Sequence, residues 1–578
     1  MKNTNRNFYS CDFETSTEEW VEKDGFARVW LWGLYDWENQ KFEYGNSLTS
    51  FMKRVLVKCP DGNPVIYFHN LKFDGSYILN WLFRMGYTYD EDLSTENTFK
   101  TAISDVGLWY TIEVCIYKHR NQKYIIRFQD SLKKIPLPVR DIPKAFGLID
   151  IMKGELDYAK YRTIGHEPTK DEVSYLYNDC VIVAQALATL ESQGFTKMTA
   201  SSDAFYSWKC SLQSDIARKK KIKPEHTYRS IFPKVSVEVD DYIRRAYRGG
   251  WTYVNPKFAG KIITDPVEVY DINSMYPSKM VNKYLPMGQP IYFKGEPHPT
   301  KYQCYIARVR LCFEIKKDHL PCIQLKHTYF FNPTEYISSS GGMEVEMTVT
   351  NVDLKLIFSQ YNVTHFKYID GYYFRKCKGY FDRHIEKNMA IKERAVGGER
   401  YIAKSRMNQV YGKTATSPHK KMKVPYLIDG ILRFDYGEEK TEDPEYTALG
   451  CFITAWARHD IILDAQANYE NFIYCDTDSL HLLKRKDGTE PNLPIHPTKL
   501  GFYKLEHNVT KSTFLRSKSY VEQYENGDVE IKCAGASPEV KKNMNFDNFH
   551  IGSSFEGKLM PKQVVGGCVL VKTIFTII

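Results

Sequence analysis

YCDTDS, residues 474–479, is the stretch of this sequence that decides the fold. Apolar and aromatic residues flank it on both sides, from Phe472 to Leu483. This pattern predicts two strands joined by a tight turn that presents Asp476 and Asp478 in a cleft. A turn rich in Asp and Thr also has a purely structural interpretation, but the six-residue string is far more specific than an Asp-x-Asp pair.

A partner for this hairpin lies about two hundred residues earlier in the chain. Asp271 begins the string DINSMYP, residues 271–277, and ends a strand-like run that starts at Val267. Between the two strings lies a basic helical stretch from Phe381 to Tyr411. Four of its residues fall within an arc of about 80° at 100° per residue and form one cationic and polar face, Arg400, Lys404, Asn408 and Tyr411.

That face has two interpretations. A nucleoside triphosphate needs fixed positive charge, which Lys and Arg at helical spacing supply. A basic helix face exposed only to water is the alternative, because charge runs usually face solvent. Gly412, Lys413 and Thr414 spell the end of a Walker A loop, but that motif requires a Gly where Met407 stands, so no ATPase is implied.

A second group of acidic residues lies near the N-terminus. Asp12 and Glu14 are two apart in a strand-like run and therefore project from one face. Asp74 follows the strand-like run Pro64–His69, and Tyr175 and Asp179 are four apart on a predicted helix. Four carboxylates and a Tyr are the groups that two-metal phosphodiester hydrolysis requires.

Composition bounds the class of protein. The chain has 578 residues, too many for one compact core, so at least two packed domains are expected. Hydrophobic residues make up 43% and charged residues 26%, which argues against a disordered chain.

Up to about residue 200 the strand and helix patterns alternate as in a mixed α/β domain, and the pattern of the second half indicates an α+β fold. The net charge of +9 favours a polyanionic partner without identifying one.

Cysteine spacing and hydropathy exclude other classes. Thirteen cysteines are scattered, and no two have Cys-x-x-Cys spacing, which excludes zinc-ribbon and zinc-finger patterns and is typical of thiols in a reducing cytosol. The first twelve residues lack the apolar segment of a signal peptide, and the longest apolar stretch, near Cys180 to Leu190, is too short to span a bilayer. We therefore expect a protein that is neither secreted nor membrane-spanning.

The N-terminal acidic group resembles the proofreading exonuclease domain of family B DNA polymerases, whose motifs are Asp-x-Glu, Asn-x-x-x-Asp and Tyr-x-x-x-Asp in this order. The resemblance implies metal-binding catalytic carboxylates at Asp12, Glu14, Asp74 and Asp179, assisted by Tyr175 and Lys153. For Phe73 and Leu132, core packing is an equal alternative to a functional role. The residues implied to handle the frayed 3′ end are Thr15, His69, Asn70, Phe73, Ser131 and Leu132.

DINSMYP and YCDTDS resemble the palm motifs of the same family. The resemblance implies that Asp271 and Asp478 bind two Mg²⁺ ions, for which Mn²⁺ is a possible substitute, while Asp476 supports the catalytic site. It implies that Tyr276 rejects a 2′-hydroxyl, so that DNA is the product. Gln409 stands where the family's fingers motif usually has Ser. The implied nucleotide-binding residues are Tyr276, Lys392, Arg400, Lys404, Asn408 and Tyr411.

Further motifs of this family imply contacts to DNA. YRGG, residues 247–250, lies at the junction of the two halves, and FITAWAR, residues 452–458, matches a primer-contact motif in which Thr454 and Arg458 face the DNA. Arg516, Lys518 and Tyr520 alternate on a strand-like segment, so we expect them to point one way. The implied DNA-binding residues are Tyr247, Arg248, Gly249, Gly250, Ser274, Thr454, Arg458, Lys518 and Tyr520.

Over nearly its full length the chain resembles the protein-primed DNA polymerases of small Bacillus phages. Two blocks, about 324–380 and 418–441, match insertions of that group, and the second contains a hairpin-like Asp429-Gly430. The resemblance implies that the first insertion meets a terminal protein primer, in a 1:1 heterodimer. It implies that the second helps encircle the template, giving processivity and strand displacement.

The implied fold is α+β and multidomain, with an RNase H-like 3′-5′ exonuclease domain at 1–205 and a right-hand polymerase domain at 206–578. The polymerase domain divides into palm (about 206–323 and 442–513), fingers (about 381–417) and thumb (about 514–578), besides the two insertions. Template and primer DNA and dNTPs are the implied partners. The implied protein is otherwise monomeric and acts in the cytoplasm of an infected bacterial host.

Three other functions remain as alternatives. A standalone exonuclease would use the first 200 residues and leave Asp271, Asp478 and the basic helix without a purpose. A non-catalytic DNA-binding protein would use a basic surface and stacked aromatic side chains, but it would not need the ordered carboxylate motifs. A DNA-primed family B polymerase is the third, and residues 324–380 are the feature that separates it from a protein-primed enzyme.

Overall fold

The computed structural model describes residues 8–57, 63–119, 122–148, 154–298, 303–325, 332 and 335–578. The strands, in chain order, are β1 (Phe8–Thr15), β2 (Val29–Asp36), β3 (Lys41–Gly45), β4 (Val65–Phe68), β5 (Thr88–Tyr89), β6 (Thr98–Ile103), β7 (Trp109–His119), β8 (Gln122–Asp130), β9 (Thr252–Val254), β10 (Ile262–Ile263), β11 (Val267–Ile272), β12 (Leu285–Lys294), β13 (Cys304–Ile315), β14 (Val345–Thr350), β15 (Tyr361–Cys377), β16 (His419–Ile428), β17 (Ile431–Thr441), β18 (Phe472–Asp476), β19 (Ser479–Leu483), β20 (Tyr503–Arg516), β21 (Ser519–Tyr524), β22 (Val529–Cys533), β23 (Ser554–Val564) and β24 (Gly567–Thr576).

Helices connect and cover these strands. In chain order they are α1 (Glu18–Asp24), α2 (Leu48–Val57), α3 (Leu71–Arg84), α4 (Ile142–Phe146), α5 (Lys170–Ser192), α6 (Ala200–Ser211), α7 (Asp215–Lys219), α8 (Pro224–Ile231), α9 (Val237–Arg244), α10 (Met275–Asn282), α11 (Asn351–Gln360), α12 (Asp382–Arg394), α13 (Gly397–Asn408), α14 (Val410–Thr414), α15 (Thr447–Gln466) and α16 (Pro538–Lys541).

The N-terminal sheet has the strand order β3-β2-β1-β4-β8-β7-β6-β5. Its strands are rich in β-branched and aromatic residues, as in the Val-Ile-Tyr-Phe of β4, which favour a pleated and buried surface. β1 pairs in parallel with β4, and β4 pairs in parallel with β8. The C-terminal ends of these three strands therefore lie together at one edge of the sheet.

Helix α5 packs against this sheet, on β1 and β2. A capping box begins it, in which the Thr169 hydroxyl accepts from the Glu172 backbone N–H and the Glu172 carboxylate accepts from the Thr169 N–H. The helix is long and apolar enough by composition to cross a membrane, and 61% of its most apolar window is buried inside the protein. The sequence predicted a helix that carries Tyr175 and Asp179, and the structure confirms it.

The central sheet has the order β22-β21-β20-β11-β19-β18-β9, with β10 pairing to β20. β18 and β19 form the predicted hairpin around residues 474–479, and β19 lies beside β11 in antiparallel register. Helix α15 packs beneath this sheet, where Ile461 and Ala457 meet Phe472 and Trp251 in one buried cluster. The hairpin and the upstream strand are therefore neighbours, as the sequence predicts.

A separate four-stranded sheet, in the order β12-β15-β13-β14, carries helix α11 and most of the block 324–380. The basic stretch Phe381–Tyr411 was predicted as one helical stretch. In the structure it forms α12, α13 and α14, because Ala395 adopts an extended backbone (ψ 158°) and ends α12. Phe146 of α4 packs on Tyr401 of α13 with ring centroids 5.1 Å apart, which joins these helices to the N-terminal half.

Two long hairpins complete the fold. β16 and β17 turn at Asp429-Gly430, where φ is 52° and 74°, the left-handed geometry that a two-residue hairpin turn needs. The second hairpin, β23 with β24, ends the chain. Both reach the N-terminal domain, as described below.

Candidate active sites

Asp271 lies on β11 of the central sheet, and Asp478 lies in the turn between β18 and β19, next to the β19 strand that pairs with β11. Asp271 stands opposite Ser479 in the register of β11 with β19, and the Ile272 N–H donates to the Asp478 carbonyl at 2.9 Å. Between Asp476 and Asp478 the Thr477 backbone has φ 70°, and its N–H donates to the Trp251 carbonyl at 2.9 Å. The turn is thus fixed by backbone bonds on both sides, which places the two carboxylates at one cleft.

The pKa values of Asp271 and Asp478 are both raised by burial and by neighbouring negative charge. Burial raises the pKa of Asp271 to about 7, and the Asp478 charge acts in the same direction. Burial and then the Asp476 charge raise the pKa of Asp478 to about 6. Glu506 on β20, which sequence reasoning missed, raises the pKa of both. Concentrated negative charge of this kind attracts a cation.

Asp476 is compensated differently, by an ion pair with the Lys518 ammonium at 2.7 Å. The Lys518 backbone N–H donates to the Tyr474 hydroxyl at 2.9 Å. Lys518 lies in the turn between β20 and β21 with φ 59°, so the expectation that it alternates with Arg516 and Tyr520 along one strand is wrong. The turn still brings it to the carboxylates, and Tyr520 lines the same cleft, which has a volume of about 380 Å³.

Cationic residues of the basic helices face Asp271. The ammonium groups of Lys504 and Lys404 oppose the rise in the pKa of Asp271, which places both near its carboxylate. Burial and the nearby charges of Lys404 and Arg400 lower the pKa of Lys392, whose ammonium donates to the Ser274 hydroxyl at 3.4 Å. The predicted cationic face therefore adjoins the carboxylate pair, and it has the charge that a triphosphate requires.

Two tyrosines lie close enough to Asp478 for its charge to help raise the pKa of each, after the larger effect of burial. Tyr276 in the first turn of α10 stacks on Tyr411 of α14, with ring centroids 4.2 Å apart and planes inclined by 25°. Asn408 ends α13 three residues before Tyr411. The structure thus brings together Tyr276 and Tyr411, which are 135 positions apart in the sequence, beside the carboxylates.

The YRGG loop packs directly against the hairpin turn. A Cβ added at Gly250 would lie 2.6 Å from the Thr477 Cγ2 atom and 3.0 Å from the Tyr276 hydroxyl, too close for any side chain. At Gly249 a Cβ would meet nothing within 4 Å. Gly250 is therefore required by a close approach between the loop and the Asp476–Asp478 turn.

Gly250→Ala is expected to lower nucleotide addition by on the order of 10-fold to 100-fold, since a displacement near 1 Å of catalytic groups has this cost. The added methyl must push Thr477 or Tyr276 away from its position. Steady-state primer extension measures the effect, with Gly249→Ala as the matched variant, which we expect to lose no more than a few-fold. Equal losses in the two variants would contradict the packing argument.

Three residues that were expected to face DNA are buried in this structure. Arg458 is 4% exposed, pairs with Asp353 at 2.7 Å, and donates to the carbonyls of Arg248 and Gly249 at 2.7 and 2.8 Å. Arg248 is 8% exposed and donates to the Thr348 carbonyl at 3.0 Å. Thr454 is 1% exposed, and its hydroxyl donates to the Gly450 carbonyl at 3.0 Å.

The expectation for Arg248, Thr454 and Arg458 is therefore corrected: their side chains do not face an open surface. Arg458 instead holds the YRGG backbone in place against α15, and Asp353 of α11 balances its charge. Sequence reasoning missed Asp353, because no local motif marks an acid that pairs with a base 105 positions away. Tyr247 is half-buried among the residues that surround Tyr411.

The N-terminal site collects its acids from a strand and two helices. Asp12 and Glu14 lie on β1, Asp74 in the first turn of α3, and Asp179 on α5. Burial and then the Asp12 charge hold the pKa of Asp74 well above its usual range. Burial raises the pKa of Tyr175, and the charges of Asp179, Glu14 and Asp12 add to it. The predicted residues are therefore brought together around Tyr175, whose hydroxyl lies 3.0 Å from that of Tyr158.

A hydrogen-bond network shapes one side of this site. Asp130 at the end of β8 is 1% exposed, and its carboxylate accepts from the N–H groups of Asn70 at 3.0 Å and Leu132 at 2.9 Å. Asn70 has φ 78°, a left-handed conformation that this bond helps to hold. Sequence reasoning missed Asp130, although an acid directly after a buried strand and before Ser-Leu-Lys-Lys was a usable signal.

His69 is held in the same network. Its Nε2–H donates to the Leu137 carbonyl at 2.7 Å, and its Nδ1 lies 2.9 Å from the Ser131 hydroxyl, which donates to the Phe68 carbonyl at 3.0 Å. His69, Asn70 and Leu132 line an apolar cleft of about 840 Å³ that reaches Gln409. Of the two interpretations of Leu132, core packing and a functional role, its position in the lining of the cleft is compatible with both.

Thr15 and Phe73 border the opposite side of the N-terminal site. The Thr15 hydroxyl bonds to the Tyr77 hydroxyl, which in turn donates to the Cys568 carbonyl of β24 at 2.6 Å. Phe73 packs on Tyr77 with ring centroids 6.0 Å apart. Lys153, predicted to assist catalysis, lies outside the described residues.

The donor chemistry of both sites fits a hard cation, because every candidate ligand is a carboxylate. Within the described ranges, no group of three or more His, Cys, Asp and Glu side chains is spaced to hold a metal ion. Mg²⁺ is usually bound by one or two protein carboxylates together with substrate phosphates. The Asp271–Asp478 pair and the Asp12–Asp74 pair fit that mode of binding.

A carboxylate site beside a cationic helix face, with a second carboxylate group on the N-terminal sheet, is typical of nucleotide-polymerising proteins. A family model described as "DNA polymerase type B, organellar and viral" matches residues 60–491. The chain belongs to this family of DNA polymerases.

Phage DNA polymerases are similar to this chain over their full length. The DNA polymerase of Bacillus phage B103 is 41% identical, over 99% of this chain and 100% of the relative. The DNA polymerase of Bacillus phage phi29 is 40% identical, over 100% of both. A solved structure of Phi29 DNA polymerase, complexed with primer-template DNA and incoming nucleotide substrates, superimposes with a TM-score of 0.91 at 39% identity, over 99% of this chain and 100% of that one. The resemblance to the Bacillus phage polymerases is confirmed.

Proposed function

We propose that this DNA polymerase copies a template at the Asp271–Asp478 site and edits the new 3′ end at the Asp12–Asp74 site. The observation that carries the proposal is the presence of two carboxylate clusters on separate domains, only one of which adjoins the cationic helix face. The solved structures of Phi29 DNA polymerase contain primer-template DNA, nucleotides and single-stranded DNA, which supports the same partners here.

In this proposal the N-terminal domain, about 1–205, is the 3′-5′ exonuclease with an RNase H-like fold. The palm contains α15 and the central-sheet strands β9, β10, β11, β18, β19 and β20, the fingers contain α12 to α14, and the thumb begins at about residue 514. The two insertions are the block of about 324–380, which contributes β14, α11 and β15, and the hairpin β16–β17. The continuous packing between α4 and α13 supports a fixed arrangement of the exonuclease beside the fingers.

At the polymerase site, each side chain has a distinct task. Asp271 and Asp478 would hold Mg²⁺, which supplies activation of the primer hydroxyl and neutralisation of the leaving pyrophosphate. Lys404, Lys392 and Arg400 bind the triphosphate from the fingers. The Tyr276 ring lies against Tyr411 and excludes a 2′-hydroxyl, and Lys518, paired with Asp476, holds a primer phosphate.

At the exonuclease site, Asp12, Glu14, Asp74 and Asp179 would hold Mg²⁺, which activates the attacking water. Tyr175 stands among these carboxylates, where its hydroxyl can orient that water. His69, Ser131 and Leu132 border the cleft through which a frayed strand enters. Their hydrogen bonds to Asp130 and backbone carbonyls keep this entrance in one geometry.

We also propose that synthesis starts on a terminal protein, which docks on the first insertion in a 1:1 complex. The support is the additional sheet and its helix α11, a rigid unit fixed to the palm through the Asp353–Arg458 ion pair. In this setting the protein acts in an infected bacterium, as its phage relatives imply.

Protein priming is tested by incubating the chain with Mg²⁺, labelled dATP and linear genome ends, with and without a candidate terminal protein. Label joined covalently to that protein on a denaturing gel is the expected result. Extension of an annealed DNA primer alone would keep the polymerase and exonuclease assignments and contradict protein priming.

In this proposal the second insertion helps to encircle the template, and its contacts with the N-terminal domain support this role. At the tip of β16–β17, the Gly430 carbonyl accepts from the Asn80 side chain of α3 at 2.7 Å and from the Gly566 N–H of the last hairpin at 3.3 Å. That hairpin contacts α3 again, where the Gln563 amide donates to the Ser76 hydroxyl at 2.9 Å. Both hairpins thus reach from the polymerase half to the N-terminal domain, which supports a closed passage for DNA.

Removing residues 418–441 is expected to shorten the DNA made in one binding event by on the order of 10-fold, because an open ring lets the duplex dissociate. Product length at excess competitor DNA measures it. Since Leu432 is buried in the N-terminal core, Asn80→Ala serves as a milder variant that breaks only one contact of the ring. Unchanged product length in the deletion variant would refute the role of this hairpin.

A further inference from the structure

A basic turn outside both active sites is the strongest charged feature that these functions leave unused. The segment ARKKKIK, residues 217–223, covers the end of α7 and the turn before α8. Its four lysines, at 219, 220, 221 and 223, are all exposed, and Ile216 and Ile222 beside them are 67% and 40% exposed. Apolar and cationic groups are thus presented together on one surface.

The lysines of this turn lack local compensation. The nearest acids in the sequence are already paired: Asp215 with Arg218 at 3.5 Å, and Glu225 with Lys209 at 2.6 Å and with Arg229 at 2.9 Å. Within the described part of the chain, none of Lys219, Lys220, Lys221 and Lys223 forms an ion pair. Four adjacent unpaired charges repel each other, so a polyanion bound there would relieve the repulsion.

The turn is held in one conformation. Lys221 has φ 54°, and the Ile222 N–H donates to the Ala217 carbonyl at 3.0 Å. The Gln213 amide donates to the Ile222 carbonyl, and the Arg218 guanidinium to the Cys210 carbonyl of α6 at 3.4 Å. The charges are therefore part of a fixed surface and do not belong to a free tail.

Helix α6 connects this turn to the apolar cleft. Thr199, Ala200 and Ser201, at the start of α6, line the cleft of about 840 Å³ that also contains His69 and Gln409. Farther along the helix, Tyr206 is 43% exposed, with the Lys197 ammonium 4.5 Å from its ring centroid. At 1.5 Å per residue, α6 spans about 18 Å from the cleft to the basic turn.

We propose that this surface binds the sugar-phosphate backbone of a template-side DNA strand that passes outside the cleft proposed to admit the frayed 3′ end. We define the α6–α7 surface by Lys197, Tyr206, Lys219, Lys220, Lys221 and Lys223. The lysines contact phosphates without reading sequence, and the exposed Tyr206 ring offers a face for base stacking. The strand has two possible sources, an unpaired template overhang or the duplex that follows it, and both present the same phosphates. The inference rests on the proposed function and adds a DNA contact outside its active sites.

The test replaces all four lysines of the turn, K219Q/K220Q/K221Q/K223Q, and measures DNA affinity by fluorescence anisotropy over a range of NaCl concentrations. Three DNAs are compared: a primer-template with a very short overhang, one with a long single-stranded overhang, and one whose overhang leads into a second duplex. The corresponding Lys→Arg variant keeps the charge. A second control replaces four exposed lysines elsewhere, Lys53, Lys294, Lys317 and Lys486.

For the Lys→Gln variant, the magnitude of the slope of log affinity against log salt is expected to decrease by about 3 on the extended DNAs. This figure assumes that each of the four lysines contributes roughly 0.7 to 0.9 to the slope through one phosphate contact. The slope on the short-overhang DNA should match that of both controls. A decrease on the single-stranded overhang identifies the template strand, and a decrease only with the second duplex identifies the duplex ahead.

Slopes equal to those of the controls on all three DNAs would overturn the proposal, as would an equal decrease on all three. Failure of the unmodified chain to bind the short-overhang DNA would contradict the proposed polymerase function instead, so the two failures are distinguishable. Thermal unfolding of each variant verifies that the fold is retained.

Discussion

Replacing Asp478 by Asn is expected to lower the rate of nucleotide addition by on the order of 10³-fold or more, while single-strand degradation stays within about twofold. The substitution keeps the size of the side chain and removes one of two carboxylates, Asp271 on β11 and Asp478 in the turn before β19, that line one cleft. Loss of several kcal/mol of charge stabilisation corresponds to this factor, since about 1.4 kcal/mol equals one factor of ten.

The measurement is extension of a 5′-labelled primer under single-turnover conditions, paired with degradation of a labelled single strand. Asp487→Asn, in an exposed loop after β19, is the control and should retain both activities. Loss of degradation together with extension would show that Asp478 acts on the fold or on both reactions, contrary to the assignment.

Replacing Asp12 by Ala is expected to have the opposite effect, with degradation lowered by on the order of 10³-fold and extension preserved. Asp12 lies on β1 with its charge acting on Asp74, Tyr175 and Cys180, so it stands at the centre of the N-terminal acidic group. Its removal is expected to leave the central sheet untouched, because β1 belongs to the N-terminal sheet and β11, β18 and β19 to the central one.

Degradation of single-stranded DNA with time, in Mg²⁺, gives this rate. Asp171→Ala, an exposed carboxylate at the start of α5, is the matched substitution on the same domain and should degrade DNA normally. If the Asp12→Ala protein still degrades DNA at the unmodified rate, the assignment of the exonuclease site to this cluster is contradicted.

The sequence predicted on which elements the acidic residues lie, because the signals for that placement are local. Strand periodicity places Asp12 and Glu14 on one face, helical spacing does the same for Tyr175 and Asp179, and a turn between two apolar runs presents Asp476 and Asp478. In each case only a few neighbouring residues determine where the side chains point, and the structure agrees.

Predictions that depended on distant partners did less well. Arg458 was expected to face DNA, but Asp353 and the carbonyls of the YRGG loop hold it in the core. Nothing near Arg458 in the sequence indicates that acid. Alternation with Arg516 and Tyr520 predicted that Lys518 lies on a strand, whereas the chain turns at Lys518. The Lys518 N–H donates to the Tyr474 hydroxyl in this turn, a contact between residues that are distant in the sequence. A motif thus located these residues but did not fix the direction of their side chains.

The boundaries of the basic helices show the same limit. Arg394 and Gly397 lie on different helices because Ala395 is extended, although the residues on both sides were predicted to belong to one helical stretch. The break lets α13 turn its cationic face toward Asp271 while Tyr401 packs on Phe146. Tertiary packing, which the sequence pattern does not contain, sets that angle.

The central claim is that two separate sites act on one primer end, and conversion of labelled dNTP to free dNMP on a primer-template tests it most directly. This turnover requires addition at the Asp271–Asp478 site followed by removal at the Asp12–Asp74 site. We expect the unmodified protein to release dNMP steadily, Asp478→Asn to release none, and Asp12→Ala to extend the primer without releasing dNMP. Steady release by the Asp12→Ala protein at the unmodified rate would contradict the account.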